Sequence, residues 1–299
     1  MVRWFMLPVW TFGCCLWLTG QTPHTLEAGV FMGISTYLGD LQQGRFEMDE
    51  AHSSFGGFLR YRPSKQFAFK TQFYKGKISG SDSNYTGLEV RKRNLSFRSP
   101  ILELGMQMEI SLANFGERDA FRAAPYFFIG AGLFYFNPQA KFNGAWVNLQ
   151  PLGTEGQGLV QYPDREPYNR IQCSVPLGLG FQLAILQCGF LGFEIGFRKT
   201  FTDYLDDISQ TYPDLDLLAS HNPMAAELSF RSPEYTGNNG LPLPSGESRG
   251  NPQNLDYYFF GGVTVSTVIQ KWFTAKKVPN RRFKAQFWAD RLQAPVKDF

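Results

Sequence analysis

The sequence predicts an all-β fold, an eight-stranded antiparallel barrel, and three observations lead to it. Apolar residues alternate with small or polar ones in eight stretches of the chain, which is the period of two that strands show. The 299 residues include 30 Gly and 29 Phe, and only 18% of them are charged. After the N-terminal segment, no run of the sequence approaches the roughly 18 apolar residues of a membrane-spanning helix.

Eight predicted strands follow one another along the chain at 26–36, 54–62, 66–76, 100–112, 126–136, 171–183, 191–201 and 256–269. One parity of each strand is apolar: Ala28, Val30, Met32 and Ile34; Phe55, Leu59 and Tyr61; Phe67, Phe69 and Phe73; Leu102, Leu104, Met106, Met108 and Ile110; Phe127, Ile129, Ala131, Leu133 and Tyr135; Ile171, Val175, Leu177, Leu179 and Phe181; Leu191, Phe193, Ile195 and Phe197; Val263 and Val265. The other parity holds Gly, Ser, Gln and a few charged residues. Pro100 and Pro176 lie in or beside strands, so each predicts a bulge or a local bend.

The connections differ in length between the two ends of the predicted barrel. Short connections lie near 63–66 and 186–190 and a medium one at 113–124, whereas the long ones are 37–51, 78–92, 137–168 and 202–254. Long loops at one rim and tight turns at the other are typical of outer-membrane barrels. The longest connection is rich in Pro, Gly and Asn, which predicts a partly mobile loop that contacts other surface proteins or only solvent. The periodicity leaves counts of eight and ten strands open.

The composition of the two faces indicates which of them points outward. A soluble eight-stranded barrel would bury its apolar face around side chains or one ligand, and its outer face would carry many charges. Here the polar face is small and sparsely charged, which suits a narrow lumen, and the apolar face suits acyl chains. The sequence therefore predicts a transmembrane outer-membrane barrel with extracellular loops and periplasmic turns. Aromatic residues at strand ends predict girdles at the membrane interfaces: Tyr37, Tyr61, Tyr135, Tyr168, Tyr257 and Trp272.

Eight charged side chains share the inward parity, four acids and four bases. They are Glu27, Arg60, Arg62, Lys70, Glu103, Glu109, Glu194 and Arg198. An unpaired buried charge is costly, so we expect these residues to form a luminal ion-pair network with a structural role. A path for ions or solutes is the functional alternative.

The N-terminal residues 1–20 carry one early Arg and a mostly apolar run, which predicts a secretory signal peptide. A transmembrane anchor is the alternative. Residues 21–270 would then form the barrel, and an even number of strands would place both termini in the periplasm. Cys173 and Cys188 lie too far apart along an extended segment to form a disulfide, so we expect two free thiols.

The loops show no pattern of residues that predicts catalysis or metal binding. His24, His52 and His221 are the only histidines, and none is paired with a nucleophile at a recognisable spacing. Asp203, Asp206 and Asp207 could bind Ca²⁺ but lack the spacing and turn glycine of a calcium loop, so loop folding is the favoured role. The segment "GTEGQG" (153–158) lacks the Lys of a phosphate loop and is interpreted as a turn. We expect no enzymatic activity, cofactor or small-molecule substrate, and the net charge of +3 does not suggest nucleic-acid binding.

Several segments resemble one known family. They are "YLGDL" (37–41), "GKISG" (76–80), "RKRNLSFRS" (91–99), "ELGMQMEI" (103–110), "PYFFIGAGLFYFNPQAKFNG" (125–144), "LQPLGTEGQG" (149–158), "YPDREPY" (162–168), "PLGLGF" (176–181) and "GFEIGFRKTFTDYLDDIS" (192–209). Together, over about residues 26–270, they resemble the PorG family of outer-membrane barrels. The resemblance implies a non-enzymatic subunit of the type IX secretion system, which also serves gliding motility, and it implies that the barrel couples the periplasmic PorK–PorN ring to the outer membrane. A passive barrel with a structural or adhesion role and an outer-membrane enzyme are the alternatives.

The C-terminal segment 271–299 departs from barrels that end at a terminal aromatic residue. It contains eight Lys or Arg and two Asp, and its apolar residues recur at near-helical spacing, which predicts a basic amphipathic helix in the periplasm. Such a helix could bind a ring partner or an anionic leaflet, and a disordered tail is the other possibility. Candidate partner-binding residues are Arg118 and Arg122 in the turn 113–124, and Arg281, Arg282, Phe283, Phe287 and Trp288 in the tail.

Overall fold

The computed structural model describes residues 24–42, 48–112, 123–185 and 189–269. Its ten strands are β1 (Thr25–Leu38), β2 (His52–Arg62), β3 (Phe67–Ser81), β4 (Ser96–Ser111), β5 (Ala123–Phe136), β6 (Gln139–Phe142), β7 (Ala145–Asn148), β8 (Ile171–Ala184), β9 (Gly189–Thr200) and β10 (Tyr257–Val268). Eight of these pair antiparallel in the order β3-β2-β1-β10-β9-β8-β5-β4, and pairing between β3 and β4 closes the barrel. The predicted eight-stranded antiparallel fold is therefore confirmed.

The remaining two strands form a hairpin outside the barrel wall, which answers the question of eight or ten strands. β6 and β7 are joined by Asn143 and Gly144, whose φ angles are 48° and 85°. Two successive positive φ angles are the requirement of a tight hairpin turn, and Asn-Gly meets it. The hairpin joins the sheet through the pairing of Arg98 with Gln139. The Asn-Gly pair is the sequence signal that could have located this hairpin.

The strands β3 and β4 extend further at the loop end than the sequence predicted. Their pairing runs unbroken from Phe67↔Ile110 to Ser81↔Ser96. The predicted loop 78–92 therefore began too early, since residues 78–81 belong to β3. Ile78, in this extension, is fully buried.

The predicted bulges at the two prolines are absent. The register between β3 and β4 continues through Lys77↔Pro100, and that between β8 and β9 continues through Pro176↔Arg198. Each proline lacks the backbone N–H that would donate to a neighbouring strand. The pairing on the other side of the strand is interrupted at these positions instead: β4 pairs with β5 only from Ile101 onward, and the β5–β8 ladder has a gap beside Pro176.

The apolar parity of the strands faces away from the barrel axis, as predicted. Leu104 and Phe193 are 56% and 50% exposed on the outer surface. Among the predicted girdle residues, Tyr61, Tyr135 and Tyr257 lie on this surface. Tyr37 and Tyr168 were assigned wrongly. Both are buried, because their rings pack in the aromatic core at the loop end.

Aromatic rings fill the loop-side half of the lumen, where the sequence predicted mainly small residues. Phe31 stacks on Tyr74 with ring centroids 4.4 Å apart, and Phe260 lies 5.5 Å from Tyr74. These rings belong to a buried cluster with Tyr37, Leu41, Ile78, Leu95, Phe97, Ile101, Phe134, Phe136, Tyr168, Leu205, Ile208 and Tyr258.

Inward-facing glycines make room for two further rings of the lumen, those of Tyr126 and Phe128. A Cβ atom on Gly180 would lie 2.1 Å from the ring of Tyr126, and one on Gly178 would lie 2.5 Å from the ring of Phe128. The small residues and the bulky ones on the inward parity are therefore complementary halves of one packed interior.

Four short helices lie in the loops: α1 (Leu88–Arg93), α2 (Leu215–His221), α3 (Pro223–Ser229) and α4 (Ser232–Thr236). Asp214 caps α2 by accepting from the amide of Leu217, and Asn222 caps α3 by accepting from that of Met224. Both helices bury apolar side chains, such as Leu218. The connection 202–254 thus contains three short helices, and its partial mobility stays a prediction. In the described ranges, no helix has the length and apolar character needed to span a membrane.

Some predicted features lie outside the described residues. These are the signal peptide 1–20, the tail from 271 onward with Trp272, and Cys188. Cys173 is a free, exposed thiol.

We predict that Gly180→Ala destabilises the barrel, because the new methyl group overlaps the Tyr126 ring and overpacking typically costs about 1–3 kcal/mol. Gly57→Ala is the matched control, since its Cβ would meet only a backbone oxygen at 3.7 Å. Urea unfolding of the protein folded into lipid vesicles measures both free energies of unfolding. Equal stabilities for the two variants would contradict the packing that we describe.

Candidate functional site

Arg60 stands at the centre of the buried charges on the turn side of the lumen. It donates to Glu27 at 3.1 Å and to Glu109 at 3.0 Å. Arg62 lies 3.6 Å from the second oxygen of Glu27 and donates to Gln182 at 2.9 Å. The Glu27 carboxylate thus lies between Arg60 and Arg62, two successive inward residues of β2, so both arginines have a counter-charge.

Lys70 and Glu194 form a second pair across the lumen. The Lys70 ammonium donates to Glu194 at 2.5 Å, and the Tyr126 hydroxyl donates to the same oxygen at 3.0 Å. The ammonium also lies 4.7 Å from the centroid of the Phe58 ring. This geometry satisfies a charge that would otherwise be costly to hold inside a barrel.

Arg198 and Glu103 form the third pair, below the aromatic cluster. Arg198 Nε donates to Glu103 at 3.1 Å, and the guanidinium lies 4.9 Å from the Phe260 ring centroid. Glu103 also accepts from the Tyr258 hydroxyl at 2.8 Å and from the Gln72 amide at 2.9 Å. Charged and aromatic parts of the interior are therefore continuous.

All eight predicted luminal charges come together in these pairs, and none is more than 8% exposed. The described part of the lumen is filled by ion pairs on the turn side and by rings on the loop side. Sequence reasoning missed the neutral partners, because Gln72, Tyr126, Gln182 and Tyr258 share the inward parity but carry no charge to mark them.

The long loops fold over the loop end of the barrel into a structure that we call the cap, comprising residues 82–95, 137–170 and 201–256. Asp207 is fully buried within it, with a φ of 71°. Its carboxylate accepts from Thr154 at 2.5 Å and from Tyr168 at 2.6 Å, and its carbonyl accepts from Arg249 at 2.6 Å. Asp207 therefore ties the cap segments 137–170 and 201–256 together.

Glu155 is the second centre of the cap, although the sequence indicated only a turn at 153–158. Its carboxylate accepts from the amide of Ser209 at 2.9 Å and from Arg249 at 3.0 Å. Its carbonyl accepts from Arg165 at 2.6 Å, and Arg165 also donates to the carbonyl of Thr211. No local sequence signal indicates these contacts, because the partners lie 10 to 94 residues away.

Arg93 joins the end of α1 to the rest of the cap. It donates to Asp82 at 2.7 Å and 2.9 Å, to the carbonyl of Arg249 at 2.5 Å and to that of Asp40 at 3.1 Å. One side chain thus connects three loop segments, those of Asp82, Asp40 and Arg249.

Buried carboxyl groups gather where the cap meets the barrel. The Tyr37 hydroxyl donates to Asp206 at 2.5 Å and to Asp256 at 3.1 Å. Burial raises the pKa of both carboxyls well above the usual range for Asp, and their mutual repulsion adds to the shift of Asp256. Burial also raises the pKa of Asp203 to about 8 and that of Asp207 to about 6.

Asp203, Asp206 and Asp207, the residues considered for Ca²⁺, all lie in the cap segment 201–256. Within the described ranges, no group of His, Cys, Asp and Glu side chains has an arrangement that could hold a metal ion. Asp206 accepts from the Tyr37 hydroxyl and the backbone amide of Ile208, and Asp207 accepts from the Tyr168 hydroxyl, so these two aspartates hold the cap. This arrangement is the loop-folding role that the sequence favoured.

One histidine does meet a hydroxyl group that the sequence did not reveal. His52 Nε2 lies 2.7 Å from Ser79 Oγ, and Ser79 donates to Glu50. Glu50 also accepts from Asn84 at 2.9 Å. The Glu50 carboxylate therefore contacts Ser79. In a Ser-His-acid triad the carboxylate would instead contact the His52 nitrogen that does not face the serine. His24 and His221 contact Tyr61 and the carbonyl of Leu217.

The buried carboxyls make the cap sensitive to pH. Because their folded pKa values exceed the value of about 4 for an unfolded Asp, folding takes up protons. We predict that cap stability is greatest below about pH 4 and is lost as the pH rises through about 6 for Asp207 and about 8 for Asp203. Hydrogen-exchange protection factors of 201–210, corrected for intrinsic rates, measure this loss between pH 5 and pH 9.

Asp203→Asn is the matched variant, because it removes one titrating group and keeps the shape of the side chain. Its protection should fall less between pH 7 and pH 9 than that of the natural chain. Protection that rises with pH in the natural chain would show that the sign is wrong.

Three solved structures that match this chain share little sequence identity with it. One is the neisserial surface protein A, NspA, with 8% identity and a TM-score of 0.38 over 81% of this chain and 96% of that chain. A second is the attachment invasion locus protein Ail of Yersinia pestis, solved in complex with the heparin analogue sucrose octasulfate, with 8% identity and a TM-score of 0.37 over 82% of this chain and 97% of that chain. A third is the outer membrane protein OprG of Pseudomonas aeruginosa, with 8% identity and a TM-score of 0.36 over 82% of this chain and 97% of that chain. With TM-scores below 0.5, these likenesses carry no argument about function.

No curated protein matches the sequence. The model of one protein family, described as a domain of unknown function (DUF6089), matches residues 9–222. Because this match covers more than half of the chain, the protein belongs to the DUF6089 family.

Proposed function

We propose that the protein is an outer-membrane barrel that serves the type IX secretion system as a non-enzymatic anchoring subunit. The observation that carries membrane residence is the outer surface of the eight strands, where large apolar side chains are widely exposed. Met32 and Met106, for example, are 68% and 63% exposed. Soluble monomers rarely expose apolar patches larger than a few hundred Å², so acyl chains are the solvent that suits this surface.

The filled interior favours a structural role over transport. The eight luminal charges are paired with one another, and rings occupy the space above them. A solute path would need these pairs to separate inside the barrel, where charges without counter-charges are costly. The barrel is therefore a membrane-embedded body whose function lies in what its two rims contact.

The segments that resemble the PorG family support the secretion role, because several of them converge in the cap. Tyr37 of "YLGDL" contacts Asp206 of the "TDYLDD" segment, and Glu155 of "GTEGQG" contacts Arg165 of "YPDREPY". The resemblance thus follows a folded unit of this chain and not scattered loop residues.

The proposed ring contact lies on the other rim. Both termini and the turn 113–124 would face the periplasm, where the PorK–PorN ring would bind the basic turn and tail. The candidate residues Arg118, Arg122, Arg281, Arg282, Phe283, Phe287 and Trp288 lie outside the described residues.

A second candidate function is a barrel that uses its outer rim for adhesion. The observation that favours it is the folded cap, since an ordered extracellular surface suits recognition of another surface molecule. This candidate needs no periplasmic partner.

We predict that deleting the gene blocks release of cargo that carries the type IX signal, and that the natural chain restores it.

Arg118→Glu/Arg122→Glu should lower the amount of PorK and PorN that co-purifies with the barrel, because reversing two charges weakens an electrostatic contact. The control is Arg91→Glu/Lys92→Glu on the cap, which makes the same charge change on the other rim. Immunoblots of culture medium, membrane fractions and the purified complex provide the measurements.

Two outcomes would contradict the secretion role. One is normal release of cargo from the deletion strain. The other is a ring that stays with the outer membrane in normal amount without this protein. Normal secretion together with lost adhesion would favour the second candidate.

A further inference from the structure

The outward positions of the eight barrel strands carry very few charges, and all of them have one sign. In the described strands these residues are Lys75 and Lys77 of β3, Arg98 of β4 and Lys199 of β9. Lys77, Arg98 and Lys199 lie toward the loop ends of their strands, and Lys75 lies just past the middle of β3. No outward position of these strands holds Asp or Glu, so the charge on the outer wall is confined to its loop-side half.

Three of these cations are close neighbours. The β3–β4 register pairs Lys77 with Pro100 and Arg98 with Ser79, so Lys77 and Arg98 are diagonal partners on the same face. Such partners lie about 5.5–8 Å apart, and Lys75 is the next outward residue along β3. We call Lys75, Lys77 and Arg98 the basic patch.

The nearest described carboxylate to the basic patch is that of Glu50, on Ser79 between Lys77 and Arg98. None of its three side chains forms an ion pair with a described carboxylate. Arg98 instead donates to Gln139 at 3.1 Å, and its guanidinium stacks 3.6 Å from the Trp146 ring centroid. Glu50, which reaches the outer face of β3, accepts from Ser79 and Asn84. Like charges at this separation repel, so the patch favours an anion from outside the chain.

The location of the patch points to the type of anion. Below it, the outward surface is apolar, with Phe73 and Leu104 each more than half exposed. From Phe67 to Lys77 the strand rises about 33 Å, which at a tilt of about 40° is about 25 Å of height. This is the height of the apolar band of a membrane barrel, so Lys77 lies at the level of the headgroups. Lys75 lies about 5 Å lower, a distance that its long side chain spans. Trp146, beside Arg98, has the amphipathic ring that suits this interface.

We infer that the basic patch binds the phosphate groups of anionic lipid headgroups in the leaflet at the loop end of the barrel. The inference rests on the proposed membrane residence. A guanidinium presents two N–H groups to one phosphate, and two ammonium groups add charge beside it. The bound headgroups fix the depth of the loop rim and cancel the repulsion within the patch.

The test measures the preference of the full chain for phosphatidylglycerol over phosphatidylcholine. The protein is folded into phosphatidylcholine vesicles that contain a small amount of spin-labelled lipid of either type, and the motionally restricted fraction is compared. Lys75→Gln/Lys77→Gln is the variant, and Arg91→Gln/Lys92→Gln on α1 of the cap is the control with the same loss of charge. We expect the preference to fall about tenfold in the variant, to stay unchanged in the control and to weaken with added salt.

An unchanged preference in the patch variant, or no preference in the natural chain once it is inserted, would overturn the inference. Gel mobility of the unheated protein reports folding and insertion separately for each chain. A natural chain that remains water-soluble and does not insert would instead contradict membrane residence itself, and the lipid site with it.

Discussion

The structure depends on the pairing of every charge that the closed sheet turns inward. Alternation along a strand fixes which side chains point inward, because a register shift of one residue would exchange the two faces of the whole strand. Arg60 lies between Glu27 and Glu109, and Lys70 meets Glu194. Glu27 faces Arg60 directly across the β1–β2 pair, whereas Glu109 on β4 and Glu194 on β9 belong to strands that are not hydrogen-bonded neighbours of their partners' strands. The pairs that cross the lumen therefore form only when the barrel closes in this register. The same constraint leaves the outer wall almost free of charge.

The cap extends the lumen and is not a separate layer of loops. Rings continue from the barrel into it, since Phe136 stacks on Tyr168 at 5.9 Å and Tyr168 on Tyr204 at 4.7 Å. Tyr168 also binds Asp207, a centre of the cap. The barrel therefore has two rims of different character: a folded, acid-rich cap that packs on the lumen, and the short turns at the other end.

The sequence predicted what depends on periodicity and missed what depends on distant contacts. Glu103 and Leu104 alternate clearly, so their faces could be assigned without a structure. Tyr37 could not be placed, because an aromatic residue at a strand end fits a girdle and a lumen equally well. Glu155 could not be recognised either, since its role requires Arg249, which is 94 residues away. The hairpin at Asn143 had a local signal, but it stood in a segment interpreted as a loop.

The most direct measurement of the pairing constraint is a mutant cycle on Lys70 and Glu194, with unfolding in urea from lipid vesicles as the readout. Lys70→Met leaves a buried carboxylate with only the Tyr126 hydroxyl, and it should lower the free energy of unfolding by about 3–5 kcal/mol. Lys70→Met/Glu194→Gln removes the stranded charge and should recover most of that loss. A single variant as stable as the natural chain, or a double variant no better than the single one, would contradict the account.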